Sequence, residues 1–79
     1  MTLASAQINH SYRIVQVLGE EDSPVAIRFR QLGFVPGMEL HCEVLAPLLK
    51  HPLLVRLRGM QIALALSEAK LIHVEEITP

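Results

Sequence analysis

RQLGFVPGMEL, residues 30–40, reads as the end of a helix, a corner and the start of a strand. Gly33 stands where a helix needs a left-handed C′ residue, and Phe34 then takes the C″ position, folded back over the last turn. Pro36-Gly37 is the favoured central pair of a type II turn, because proline fixes φ at the first position and glycine supplies φ > 0 at the second. Working backwards, Ser23 followed by Pro24 gives an N-cap oxygen and a proline at the first helical position, where its missing N–H costs nothing. Glu20, Glu21 and Asp22 place negative charge beside the positive helix end. Val25, Phe29 and Leu32 recur at i, i+4, i+7 and form one apolar face. The spacing therefore predicts a short helix that ends at this corner. Working forwards, Met38, Leu40, Cys42 and Val44 alternate with Glu39, His41, Glu43 and Leu45, the period of a half-buried strand.

The rest of the chain repeats these signals. Residues 1–10 read as a loose tail, and residues 11–79 as one domain. Tyr12 to Leu18 is rich in β-formers and stops at the polar GEEDSP, though IVQVL does not say which face is buried. APLLKHP, bounded by Pro47 and Pro52, interrupts pairing. Leu53, Val55 and Leu57 alternate with Leu54, Arg56 and Arg58; Gly59 turns the chain; Ile62, Leu64 and Leu66 alternate with Gln61, Ala63 and Ala65. Ser67 is a candidate cap for one helical turn through SEAKL, before a last strand around Ile72 and Val74. A mainly β fold follows: a small barrel of about five strands, one short helix after the first strand and one helical turn before the last. Closure would remove exposed sheet edges.

Composition narrows the function. The 79 residues support one small core, and 51% of them are hydrophobic while 4% are aromatic, so the core is aliphatic and some apolar surface stays outside. A net charge of -1 disfavours nucleic-acid binding, which needs clustered Lys and Arg. Cys42 is the only cysteine, which points to a reducing cytosol and to neither a disulfide nor a thiolate zinc cluster. No stretch reaches the ~20 apolar residues needed to cross a bilayer. The N-terminus lacks the pattern of a signal peptide, so any membrane role runs through a partner.

Candidates for chemistry are few. Cys42 and His41 point to opposite faces of one strand, and Cys42 joins the Leu40 face as a small core residue. Glu39, His41 and Glu43 share the other face, the one weak candidate set for a divalent metal. The same parity puts Arg56 and Arg58 opposite them, so cross-strand Glu–Arg pairs account for the charges. The serines lack a glycine elbow and the glycines form no phosphate loop; no enzyme and no cofactor are expected. More informative is the outer apolar surface: Leu54, Ala63 and Ala65 on neighbouring strands, with Leu48 and Leu49 in the loop. Phe34, mostly scaffold, and Val35 add the corner. These seven residues are the candidate partner-contact surface, and self-association as a homo-oligomer is compatible with it.

The ordered set LGFVPG, AP, HP, VRLRGMQIAL, SEA and an I-x-V ending resembles the FeoA family, over residues 12–76. The resemblance implies an SH3-like β-barrel, a cytoplasmic place and a role in bacterial ferrous iron uptake. It further implies contact with the FeoB-type membrane transporter through its cytosolic GTP-binding domain, as accessory or regulator. The family's A-P-x-G-D-P loop is replaced here by Leu48-Leu49-Lys50-His51-Pro52. Ala65 stands where a basic residue is usual.

Overall fold

The computed structural model describes residues 1–45 and 53–77. Helix α1 (Pro24–Leu32) starts as its cap residues require: Ser23 Oγ accepts from the Ala26 N–H at 3.1 Å, with proline in the first turn. Removing such a cap costs ~1 kcal/mol. Its end is a Schellman turn. Phe34 N–H donates to Phe29 C=O at 2.9 Å, Gly33 N–H reaches Arg30 C=O at 3.2 Å, and Gly33 has φ 99°. The C″ and C3 side chains are thus Phe34 and Phe29, which meet edge to face with ring centroids 5.5 Å apart. Both are buried, together with Leu40, Cys42, Val55 and Leu57. Met38 N–H then closes the Pro36-Gly37 turn on Val35 C=O at 3.1 Å, and Gly37 has φ 94°.

Five strands follow in one antiparallel sheet: β1 (Ser11–Val17), β2 (Glu39–Leu45), β3 (Leu53–Leu57), β4 (Met60–Leu64) and β5 (Ile72–Glu76). Their spatial order is β4-β3-β2-β1-β5. Alternation holds as expected in β3 and β4, where Leu53, Val55, Leu57, Ile62 and Leu64 are buried. In β1 the ladder to β5 shifts between Ile14 and Gln16, so Ile14 faces the core while Val15 is 52% exposed. That bulge is why the strand's own pattern was ambiguous.

Three expectations are corrected. The sheet does not close: β4 and β5 are its edges, and the short helix α2 (Leu66–Ala69) links them in the chain. Ser67 is not the cap of α2. Ala65 is, and Glu68 Oε1 reaches back to accept from the Ala65 N–H at 2.9 Å, the N3 half of a capping box, while alanine supplies no side-chain oxygen for the other half. Residues 1–10 are no loose tail. Leu3–Ser5 form a 3-10 turn with Leu3 in the core, Val74 N–H donates to Met1 C=O at 2.9 Å, and Thr2 bridges His73. The buried phenol of Tyr12 accepts from the Gln7 N–H at 2.9 Å. Ordering this segment satisfies a hydroxyl that burial would otherwise leave without a partner.

Candidate protein-contact surface

The solvent face of the sheet divides into a charged part and an uncharged part. In the charged part Arg13 on β1 stands between its cross-strand neighbours Glu39 and Glu75, with nitrogen–oxygen distances of 3.5 and 3.1 Å. The Glu75 hydrogen bond first, and the Glu39 charge after it, hold its guanidinium more firmly protonated than usual. His41 Nδ1 lies 2.9 Å from Ser11 Oγ. Glu43 Oε1 lies 3.2 Å from Arg56 Nε and 3.3 Å from Gln61 Nε2.

Glu39, His41 and Glu43 are therefore engaged separately, with no partner in common. Among the described residues no group of three or more His, Cys, Asp or Glu could hold a metal ion. The expected Glu–Arg pairing holds for Glu43 and Arg56, but Arg58 takes no part. It sits in the β3–β4 turn at φ 53°, its side chain against Gly33. Arg13 takes its place with Glu39. Sequence spacing hid this, because positions 13, 39 and 75 become neighbours only through strand pairing. Cys42 has no exposed surface, and burial pushes its thiol up to about 11. At neutral pH it is a core residue rather than a thiolate.

In the uncharged part Leu54 and Ala63 are direct cross-strand partners. Leu54 is half-buried; Ala63 and Ala65 are exposed. These three candidate residues come together. Leu48 and Leu49 lie outside the described residues. Phe34 is 1% exposed, packed edge to face on Phe29 as a corner plug, and with Phe29 it lines the groove beside Val35, away from the Leu54–Ala63 strip. Half-buried Val35 belongs to this groove of about 260 Å³, whose apolar wall includes Val17, Leu18, Phe29 and Pro36, with nothing from β3 or β4. Leu18 and Ile27, 37% and 40% exposed, are surface apolar residues that the sequence reading did not single out. An isoleucine outside the i, i+4, i+7 stripe of a short helix was the one available signal for Ile27. Among the described residues no helix is long and apolar enough to cross a membrane.

The family model for the FeoA domain matches residues 1–76. The chain belongs to the FeoA family. Its solved relatives include the Stenotrophomonas maltophilia FeoA complexed with zinc, described as a prokaryotic SH3 domain protein. That relative is 34% identical over 95% of this chain and 89% of its own, with TM-score 0.84. Iron(II) transport protein A from Clostridium thermocellum has TM-score 0.89 and 28% identity over 98% of this chain, which spans 46% of that protein. FeoA from Chlorobium tepidum gives TM-score 0.87 and 28% identity over 99% of this chain and 71% of its own. No curated protein matches the chain. Iron transport is named for the S. maltophilia and C. thermocellum relatives, and the fold described as SH3 for the first of them is shared by this chain at TM-score 0.84.

Proposed function

We propose that this FeoA-family chain is a cytoplasmic accessory protein of bacterial ferrous iron uptake. It acts without catalysis, by docking on the cytosolic GTP-binding domain of a FeoB-type membrane transporter and biasing its nucleotide cycle or assembly. Family membership supplies the iron-transport setting, and the S. maltophilia relative is itself suggested to act as a ferrous iron transport activating factor. The observation that carries the contact is the Leu54–Ala63 pair with Ala65 beside it. This is an uncharged strip on a sheet face whose neighbouring charges are already matched to one another. Leu54→Asp and Ala63→Asp place a charge on the strip without entering the core. Each should abolish co-purification with the transporter while thermal melting stays near that of the unmodified chain. Retained binding in both, with the fold intact, sinks this surface.

A second reading is direct metal binding, favoured by the zinc in the S. maltophilia relative. Glu39, His41 and Glu43 would have to leave their present partners to share one ion. Calorimetry with anaerobic Fe(II), Mn(II) and Zn(II) tests it: no heat at sub-millimolar metal removes the reading.

A further inference from the structure

The two edges of the sheet differ. The outer side of β5 is covered, since Val74 donates to Met1 C=O and Thr2 bridges His73. Nothing among the described residues pairs with the outer side of β4. Its hydrogen-bonding groups follow from the hairpin. Arg58 and Gly59 both have positive φ, 53° and 82°, which makes a two-residue type I′ turn closed by the Leu57–Met60 pair. Antiparallel ladders alternate, so Met60, Ile62 and Leu64 direct their N–H and C=O towards β3, and Gln61 and Ala63 direct theirs outwards. The row ends at Ala65, whose N–H is taken by Glu68 and whose C=O accepts from the Ala69 N–H at 2.9 Å.

We propose that the chain self-associates through β4, two copies joining edge to edge about a two-fold axis at Ile62. In that register Gln61 of one copy faces Ala63 of the other, and Ala63 faces Gln61. Each pair exchanges both of its bonds, so every outward group of both strands is satisfied and none is left over. The arrangement is isologous and closes at two copies. Heterologous pairing of β4 on the β5 of a neighbour, which would build rings or filaments, is blocked by the N-terminal segment already on β5. Charge agrees with the antiparallel sense. Met60 to Ser67 contains no ionisable side chain, so like charges do not meet across the axis. The Arg58 turn of one copy comes beside the start of α2 in the other, where Glu68 is already paired with Arg28. The usual protections of a free edge, a lysine, a proline or a bulge, are missing from β4.

The assay contains no transporter, so its outcome is independent of the contact proposed above. Sedimentation equilibrium over roughly 10 µM to 1 mM, where a small interface dissociates, should show the mass rising from 8.8 kDa towards twice that value. Amide exchange of the unmodified chain, read by NMR, should show Gln61 and Ala63 becoming protected with the same concentration dependence, while the core amides do not change. Ala63→Pro deletes an N–H that β3 does not use, and should hold the mass at the monomer value. Ala63→Lys, which sets two like charges near the axis, should do the same if the proline variant fails to fold. A constant 8.8 kDa mass with freely exchanging Gln61 and Ala63 amides overturns the proposal. So does protection that appears only on adding the transporter's cytosolic domain, which would assign the edge to another chain.

Discussion

Replacing Gly33 with alanine tests the corner on which the fold turns. An L-residue in the left-handed region costs ~1–2 kcal/mol. The stiffer unfolded chain returns ~0.4–1 kcal/mol, which leaves about 1 kcal/mol from backbone strain at φ 99°. Packing adds to it. The new methyl would lie 3.3 Å from Arg58 Cδ and 3.5 Å from Leu57 Cδ2. Leu57 Cδ2 is then at ordinary contact distance, and the closer Arg58 side chain, though exposed, must give by a few tenths of an ångström. The sum is about 1–2 kcal/mol. Gly37→Ala provides the comparison, because at φ 94° it carries the same strain and its methyl meets nothing within 4 Å. Urea unfolding followed by circular dichroism reads the difference. With a slope near ~1 kcal/mol/M for so small a chain, the Gly33→Ala midpoint should fall by about 1–2 M and the Gly37→Ala midpoint by less. Gly33→Asn, which tolerates positive φ, should recover part of the loss. If Gly33→Ala matches the unmodified chain, or Gly37→Ala costs more, the corner is not held by this geometry.

Two further outcomes follow from the core. Leu3→Ala should cost ~2–4 kcal/mol and lower Tm by roughly 10 °C or more, because Leu3 is 1% exposed; a loose tail would leave Tm unchanged. Alkaline pH should destabilise the chain through Cys42. Its thiol is raised in the folded state from the ordinary 9.0 to about 11. The unfolded chain therefore ionises first, and stability that is fully present below pH ~9 is lost as pH rises towards ~11, on the order of 2 kcal/mol in all. A pH series of urea melts on Cys42→Ala should lack that alkaline slope, and an unchanged slope would trace it to another group.

Much of the scaffold was legible because its determinants are local. Ser23-Pro24, Gly33-Phe34 and Pro36-Gly37 each act within a few residues, and the alternation through Leu53–Leu57 needs no distant partner to be read. What stayed hidden depends on strand pairing. Leu3, Ala4 and Ala6 carry no periodic signal, and their order rests on contacts with residues more than sixty positions away. The face of β1 was obscured by a bulge, and a bulge is fixed by the partner strand. In the candidate surface, parity alone placed Leu54, Ala63 and Ala65 outside. It could not separate Phe34, whose burial is decided by Phe29, from its neighbour Val35. Arg13 was missed as the centre of the charged face for the same reason: its two partners lie 26 and 62 positions further along the chain.

The cover over β5 has a practical side. It consists of Met1 C=O and the Thr2 bridge, groups that deletion of the first two residues would remove. A preparation altered there would carry two bare strand edges of opposite kind on one small domain. Such a molecule can add copies at both ends without limit, so gels, streaking chromatograms and fibres in the test tube would be artefacts of cloning. Recombinant work on this protein should keep residues 1 and 2.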